Sequence, residues 1–239
     1  MIVLLIGHGR MGKLIENGLN ENPDHRVAAV VDIDNAEQLD SMGKIADLII
    51  DFSHPDMMNR LISYAERTKT PLVSGTTGLS EDQMKRLKAL GETVPVLVSS
   101  NFSYGVAVFR HVLAQISPIF DGWDVELTET HHNKKIDAPS GTAKLLLSAI
   151  DPENRFEKIY GREGCCGARS KKEIGVHAIR GGTVAGEHTV GFYGTDEIFE
   201  LTHKAGSRQI FADGAIHAAE TLLTFEPGFY SMEEILFPA

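Results

Sequence analysis

Cysteine and tryptophan are scarce in this sequence, which holds 2 cysteines and 1 tryptophan among 239 residues. Cys165 and Cys166 are adjacent, and neighbouring cysteines rarely reach disulfide geometry with each other. Neither has a histidine or cysteine partner at zinc-ligand spacing, so we predict no metal site. We expect both to be reduced thiols of a cytoplasmic protein that is long enough to fold without covalent support.

Positive charge is also in deficit, with 23 lysines and arginines against 33 acidic residues and a formal net charge of -10. This balance argues against a nucleic-acid partner, because such binding depends on neutralising phosphates. It is compatible with a small anionic ligand where basic residues cluster locally. The apolar N-terminal run is too short to span a bilayer and lacks the flanks of a targeting segment, so we interpret it as a first strand and expect no membrane association.

The first hundred residues alternate short apolar runs with helical patterns. The runs are MIVLLI, RVAAVVD, ADLIID, TPLVSG and VPVLVS. Strands that are apolar throughout and separated by helices are typical of a parallel sheet covered on both faces. We therefore predict an α/β domain with a Rossmann-like parallel sheet.

The pattern changes after about residue 102. The segments WDVELTETHH, EIGVHAIRGGTVAGEHTVGFYG and DEIFELTHKA alternate apolar and polar residues, as half-buried strands do. They predict a second domain with an antiparallel or mixed sheet that is open on one face. A final helical pattern, RQIFADGAIHAAETLL, is expected to pack back on the first domain.

A GxGxxG motif runs from Gly7 to Gly12, directly after the first predicted strand and at the start of a helix. Glycines there allow a tight turn and the close approach of a pyrophosphate to backbone N–H groups. Asp32 ends the second strand about 20 positions later, where a carboxylate would bind the adenosine ribose. We predict dinucleotide binding; the alternative is a glycine turn that merely packs. Arg10 and Lys13 could offset the repulsion between Asp32 and a 2'-phosphate, so NADH is expected to be usable and NADPH stays open.

Two loops that follow apolar strands, Gly75–Gly78 and Ser99–Ser103, are expected to border the nicotinamide half of such a cofactor. Ligands of open parallel sheets bind beyond the carboxyl ends of the strands. The alternative is that both loops are ordinary turns and helix caps.

The most concentrated set of polar residues is ETHHNKKIDAPSGTA, residues 129 to 143. If the strand continued, His131 and Lys135 would share one face and His132 would point to the other, unless the strand ends at the histidines. The segment from Ser140 to Thr142 starts a helix, and a helix start binds carboxylates or phosphates. A histidine or lysine can deliver a proton. The alternative is a solvated strand end followed by a helix cap.

Two further candidates lie later in the chain. His188 stands in a glycine-rich strand, where a single histidine is more often structural. Arg208 precedes the last helix and could hold a substrate carboxylate through two hydrogen bonds, or form a plain interdomain salt bridge.

Together these motifs resemble the 4-hydroxy-tetrahydrodipicolinate reductase family, also called dihydrodipicolinate reductase, of the diaminopimelate route to lysine. The matching segments, which cover nearly the whole chain in order, are GRMG, DFSHP, GTTG, NFS, ETHHNKKIDAPSGTA, GREG, EIGVHAIRGGTVAGEHTV and SRQIFADGA. The glycine loop is common to many proteins, whereas the segment from Glu129 to Ala143 is highly specific. Many members have a GxxGxxG loop, and this chain is one residue shorter there, which leaves the choice between NADH and NADPH open.

The resemblance implies a dinucleotide-binding domain, residues 1–102 and 208–239, and an inserted α+β domain, residues 103–207, that binds substrate and assembles a homotetramer. It implies NADH- or NADPH-dependent reduction of a cyclic dicarboxylate, with His131 and Lys135 as the proton-donating residues. Substrate binding falls to His132, Lys135, Ser140, Gly141 and Thr142, and we add Arg208. The implied cofactor-binding residues are Gly7, His8, Gly9, Arg10, Met11, Gly12, Asp32, Gly75, Thr76, Thr77, Ser99, Ser100, Asn101 and Phe102.

Two rival functions fit the first domain equally well. One is a different Rossmann dehydrogenase, acting on aspartate or its semialdehyde, which offers no account of the segment 129–143. The other is a nicotinamide-binding sensor without turnover, which predicts tight cofactor binding and no oxidation by a cyclic imine.

Overall fold

A computed structural model describes residues 1–238 of the chain. It divides into two compact units, one formed by Met1–Tyr104 and the chain from Gln209 onward, the other by Gly105–Arg208. The second unit is thus an insertion between two segments of the first. Within residues 1–238 no helix is long and apolar enough to cross a bilayer.

The first unit contains a six-stranded sheet in the order β11-β5-β4-β3-β1-β2, and every neighbouring pair is parallel. Its strands are β1 (Ile2–Ile6), β2 (Arg26–Val31), β3 (Leu48–Asp51), β4 (Leu72–Ser74), β5 (Pro95–Val98) and β11 (Gly228–Tyr230). Its helices are α1 (Arg10–Glu21), α2 (Gln38–Ser41), α3 (Pro55–Thr68), α4 (Glu81–Gly91), α7 (Gln209–Leu222) and α8 (Met232–Leu236). The five strands expected from the apolar runs are β1 to β5.

The apolar strands of this sheet are covered on both faces. One core cluster joins the sheet to α3 and α4 through residues such as Leu61 and Leu87. The other joins it to α1 and α7, and the buried face of α7 is rich in alanine, which lets the helix lie close to the strands. The C-terminal segment therefore completes the first unit's core.

The second unit contains a five-stranded mixed sheet in the order β10-β9-β6-β8-β7. Its strands are β6 (Asp124–His131), β7 (Glu157–Ile159), β8 (Glu173–Arg180), β9 (Gly186–Tyr193) and β10 (Ile198–Ala205). Its helices are α5 (Tyr104–Ile116) and α6 (Gly141–Ile150). β6 runs parallel to β8 and antiparallel to β9, and one sheet face packs Leu127 and Val190 against Leu113 of α5 and Leu146 of α6.

The expected fold class, a Rossmann-like α/β domain with an inserted α+β domain, is confirmed. Some details differ from the sequence pattern. The helical pattern YGVAVFRHVLAQISPIF runs to Phe120, but α5 ends at Ile116, because Pro118 cannot continue the hydrogen-bond ladder. Strands β7 and β11, each 3 residues long, were not predicted from the sequence.

Candidate functional site

The glycine loop between β1 and α1 is as tight as its sequence suggests. Gly7 has a φ of 87°, and a Cβ on it would lie 2.5 Å from the carbonyl oxygen of Phe52. A Cβ on Gly12 would collide with the carbonyl oxygen of Gly7. Both positions therefore require glycine for the loop to keep this shape.

Asp32 is fixed next to this loop. Its Oδ2 accepts a hydrogen bond of 3.0 Å from the N–H of His8, and its Oδ1 accepts one of 2.8 Å from the N–H of Ile33. The side chain thus stands at the end of β2 beside the start of α1, as the dinucleotide motif predicts. A carboxylate held there can bind ribose hydroxyls and repels a 2'-phosphate.

A cavity of about 720 Å³ opens at the carboxyl ends of the strands in the first unit. Three loops line it: Gly9–Met11, Phe52–Pro55 and Gly75–Gly78. Two of them contain predicted cofactor residues, whereas the segment after β3 was not selected from the sequence as part of the site. The cavity has room for part of a dinucleotide.

Asp51, the last residue of β3, is fully buried and connects the loop after β3 with the end of β4. Its carboxylate accepts hydrogen bonds from the Oγ of Ser53 at 2.5 Å and of Ser74 at 2.6 Å. The N–H of Ser53 donates to Oγ1 of Thr76 at 3.0 Å. Burial raises the pKa of Asp51 more than the hydrogen bonds from Ser53, Ser74 and Thr76 lower it.

The segment after β5 folds on itself. The Oγ of Ser99 donates to the carbonyl oxygen of Asn101 at 2.7 Å, and Oδ1 of Asn101 accepts from the N–H of Ser103 at 2.8 Å. Ser100 is exposed, and Phe102 is buried with its ring 5.3 Å from that of Phe52. Any contact of Phe102 with a cofactor would therefore use its backbone.

In the second unit, strand β6 ends at His131. The N–H of Lys134 donates to Nδ1 of His132 at 3.2 Å, and the N–H of Lys135 donates to the carbonyl oxygen of His132 at 3.1 Å. The chain therefore turns, and continued strand alternation through Lys135 is wrong because these local bonds replace the ladder. Because His132 lies outside the strand, it does not have to point to the sheet face opposite His131.

The predicted basic residues have distinct surroundings. His131 is 7% exposed, on the same inward face of β6 as Leu127. His132 is half-buried, with Nε2 3.4 Å from Nη2 of Arg208. Lys135 Nζ donates to Oδ1 of Asp137 at 2.7 Å.

Glu129, which the sequence analysis did not select, lies at the centre of this region and is fully buried. Both of its carboxylate oxygens accept from the N–H of Ser140 at 3.1 Å, and Oε1 accepts from Nη2 of Arg180 at 2.9 Å. Oε2 lies 3.6 Å from Nδ1 of His131 and 3.6 Å from Nε2 of His188. Burial raises the pKa of Glu129, but contacts with His188, Ser140 and Arg180 outweigh it and hold the pKa far below its usual range.

His131 is shifted toward its neutral form. Burial lowers the pKa of His131 to about 4; the Glu129 charge opposes this, while His188, Lys135 and Arg180 add to it. The ring is therefore a strong acid once protonated, and negative charge brought near it would favour the protonated form.

The start of α6 combines buried and accessible residues. Ser140 is 2% exposed; its Oγ accepts from the N–H of Ala143 at 3.1 Å and lies 3.1 Å from Nε2 of His188. Gly141 is exposed and Thr142 half-buried. Ser140 thus caps the helix, and the accessible part of the first turn is Gly141 and Thr142.

Glu129, His131 and His188 place three possible metal-ligand atoms within 4.8 Å of one another. The guanidinium of Arg180 already pairs with the carboxylate, and a cation in that position disfavours a divalent metal. The arrangement suits proton transfer better than metal binding.

The structure adds Glu129 and Arg180, which the sequence analysis did not select, and places them with His188, which it named as a candidate. Glu129 lies two positions from both Leu127 and His131, so it has the inward phase of β6. Arg180 is the register partner of His131 on β8, and His188 is that of Glu129 on β9. Period two would have found Glu129, whereas Arg180 requires the strand pairing.

Comparison with known proteins gives matches over both units. The family model described as "Dihydrodipicolinate reductase, N-terminus" matches residues 1–102, and "Dihydrodipicolinate reductase, C-terminus" matches residues 105–236. A 4-hydroxy-tetrahydrodipicolinate reductase of Exiguobacterium sibiricum is 41% identical over 241 residues, 98% of this chain and 96% of that protein. One of Caldanaerobacter subterraneus is 39% identical over 249 residues, 99% of both.

Among solved structures, a dipicolinate-bound dihydrodipicolinate reductase from Paenisporosarcina sp. TG-14 superposes with a TM-score of 0.81. It is 22% identical and covers 99% of each chain. A probable dehydrogenase from Thermotoga maritima gives a TM-score of 0.62 at 10% identity, over 98% of this chain and 92% of that one. These two likenesses show the fold.

Proposed function

The chain belongs to the dihydrodipicolinate reductase family of nicotinamide-dependent oxidoreductases, and from that premise we propose its reaction. It reduces 4-hydroxy-tetrahydrodipicolinate, by way of dihydrodipicolinate, to tetrahydrodipicolinate, in the diaminopimelate route to lysine. The observation that carries this proposal is His131, a buried histidine at the end of β6, followed by a turn that holds His132 and Lys135 before the start of α6.

The proposed chemistry needs one hydride and one proton. The reduced nicotinamide supplies the hydride when bound. Addition of hydride to a conjugated ring leaves negative charge on the substrate, so a proton source and a nearby cation both lower the barrier. We assign proton donation to His131, with Lys135 as the second donor and the neighbouring cation.

The proposed substrate site has counter-charge for two carboxylates. His132 and Arg208 lie against each other, and Lys135 follows His132 in the turn after β6, so three basic groups are available in the second unit. Gly141 and Thr142 offer the N-terminal end of α6, where the helix dipole favours an anion. Ser140 acts one step removed, because its hydroxyl is engaged in capping.

The proposed cofactor site is the cavity of the first unit with the glycine loop and Asp32. Gly9, Arg10 and Met11 line the cavity with Gly75, Thr76 and Thr77, and a pyrophosphate would meet the N-terminal end of α1. Asp32 favours NADH, and exposed Arg10 and Lys13 provide positive charge near the same loop. We propose that NADH is used and that NADPH is accepted less well.

We also propose a homotetramer in the cytoplasm. The face of the second sheet opposite α5 and α6 exposes Ile179 (51%) and Ile198 (59%), which supports assembly through this face. Light scattering on the purified chain tests the subunit number; a monomer at micromolar concentration would contradict it.

A coupled assay tests the reaction. Pyruvate and aspartate semialdehyde are mixed with the synthase that condenses them, and the absorbance of NADH or NADPH is followed after this protein is added. We expect oxidation only when the synthase is present. Oxidation by aspartate semialdehyde alone would favour the rival dehydrogenase, and cofactor binding without oxidation would favour the sensor.

A further inference from the structure

We propose that Glu129 is a positioning residue for this reaction, which with Arg180 as its counter-ion holds His131 and the start of α6 in one arrangement. The proposal rests on the function proposed above. It concerns a carboxylate that lies behind the polar residues rather than among those expected to touch substrate.

The frame comes from three separate elements that meet at one carboxylate. Ser140 donates its N–H to both oxygens from the start of α6, and Arg180 donates Nη2 to Oε1 from the end of β8. Arg180 also donates to the carbonyl oxygen of Asp137 at 2.7 Å, in the turn between Lys135 and Ser140. The Glu129–Arg180 pair therefore ties both ends of the segment 129–143 to the sheet.

The orientation concerns the His131 ring. Its Nδ1 is buried without a hydrogen-bond partner within residues 1–238 and faces Oε2 of Glu129 at 3.6 Å. This distance exceeds a hydrogen bond, but a protonated ring is attracted to the carboxylate and needs only a small movement to form one. With Nδ1–H turned to Glu129, Nε2 is the nitrogen left to deliver a proton. On the other side, a Cβ at Gly186 would lie 3.2 Å from Nε2, so that glycine leaves room there.

Among the groups around His131, Glu129 supplies the negative charge that favours the protonated ring. The groups that face it are Glu129 on its own strand, Lys135 in the following turn, Arg180 on β8 and His188 on β9. One of these is an anion and the other three are cations or become cations on protonation. Loss of the Glu129 charge would leave the ring among positive groups alone, and its protonated form would become rarer.

The variant Glu129→Gln tests this, because the amide has the same shape and can still accept from Ser140. We expect kcat to fall about 10-fold to 100-fold at pH 7, up to the lower end of the roughly 10²–10⁴-fold contribution of a positioned proton donor, because His131 itself remains. KM for NADH should be unchanged. The His131 imidazole, followed by NMR and assigned with His131→Gln, should titrate about one pH unit lower than in the parent protein. Glu126→Gln is the matched control, since Glu126 is on the same strand but on the opposite face, and it should leave the titration of His131 in place.

An unchanged kcat together with an unchanged His131 titration in Glu129→Gln would overturn the proposal. If Glu129→Gln does not fold, Glu129→Asp retains the charge one methylene further from the ring; the proposal then requires an intermediate His131 midpoint and reduced kcat, and parental values would overturn it. The NMR titration needs no turnover, so it stays informative even if the coupled assay shows no reaction.

Discussion

His131 is the residue whose protonation most directly links the structure to a rate. Its pKa is lowered to about 4 by burial, so the free protein carries the protonated form only in acid and loses it as pH rises. A bound dicarboxylate would raise this pKa again. In the proposed reaction the protonated His131 is therefore formed mainly in the presence of substrate.

The first prediction concerns pH. We expect kcat/KM for the dicarboxylate to fall about 10-fold per pH unit above pH 5, because it follows the free protein, while kcat stays high to a more alkaline midpoint. Steady-state rates between pH 5 and 9 measure both curves. His131→Gln should be slow at every pH, and its kcat/KM should not show the decrease above pH 5. The same decrease in that variant would mean that another group causes it.

The second prediction concerns the space beside the ring. Gly186→Ala places a Cβ about 3.2 Å from Nε2 of His131, so the ring must move, and we expect kcat to fall about 3-fold to 10-fold with little change in KM for NADH. Gly181→Ala is the control, because a Cβ there meets no atom within 4 Å. Equal kcat values for both variants would contradict the crowding argument.

The third prediction concerns cofactor choice. In Asp32→Ser the carboxylate that repels a 2'-phosphate is absent. We expect the ratio of kcat/KM for NADPH over NADH to rise at least about 10-fold, which corresponds to about 1.4 kcal/mol. Steady-state rates with each cofactor give the ratio, and no change would remove Asp32 from the ribose site.

At the residue scale, the sequence was informative where one residue type had one demanding role. Gly7 and Gly12 could be placed because the tight turn requires glycine there, and the position of Asp32 at the end of β2 follows from the spacing of the dinucleotide motif. Ser140 was selected for its hydroxyl, but that hydroxyl is used by the helix start. Glu129 was overlooked because a carboxylate in a polar segment looks solvated until its phase on the strand is considered.

At the scale of elements, the ends of β3 and β4 are joined through one buried carboxylate. Asp51 accepts from Ser53 after its own strand and from Ser74 on the next. The two loops that border the cavity are therefore held in a fixed relation before any ligand binds, which reduces the cost of binding.

The fourth prediction follows from this connection. Asp51→Asn replaces one carboxylate oxygen with an NH2 group, so one of the two hydroxyls, of Ser53 or Ser74, faces a donor where it now donates. The loops should loosen and the Kd for NADH should rise about 5-fold to 10-fold, or about 1 kcal/mol. Quenching of protein fluorescence or calorimetry gives the Kd. Asp47→Asn is the control, because Asp47 accepts from the N–H of Ile2 at the opposite end of β3. An equal loss of affinity in both variants would point to general destabilisation.

The helices and strands with the clearest hydrophobic patterns were the ones that could be predicted from the sequence. Five apolar strands alternating with helices identified the first sheet, since burial on both faces leaves a continuous apolar run. The end of β6 could only be given as two alternatives, because the turn after His131 depends on hydrogen bonds to the His132 side chain and backbone. Such a strand end is decided by these hydrogen bonds, which the two-residue alternation of apolar and polar residues does not reveal.

At the scale of the whole molecule, the buried histidines of the second unit make it sensitive to acid. Burial lowers the pKa of His131 and of His203, and the nearby His188 adds to the effect on His203. Unfolded histidines titrate near 6.5, so the unfolded chain binds more protons below that pH. The contribution of these neutral, buried histidines to the free energy of folding is therefore complete above about pH 6.5. It is lost progressively as the pH falls toward 4.

The fifth prediction tests this linkage. We expect the free energy of unfolding, measured with urea, to be smaller at pH 5 than at pH 7, and His131→Gln to reduce that difference by on the order of 1–2 kcal/mol. The difference between the two pH values is the measured quantity, so a uniform destabilisation by the substitution cancels. Parallel curves for variant and parent would show that His131 does not contribute.

The register of the second sheet adds a consequence for folding accuracy. Glu129 is opposite His188 on β9, and Glu187 is opposite Thr130. A slip of one residue would turn β9 over and bring Glu187 opposite Glu129, two carboxylates in a buried row beside a ring that is mostly neutral. Glu129, proposed above to position His131 for the reaction, thus also penalises the nearest wrong pairing of the strands, so selection for activity and selection against misfolding act on the same side chain.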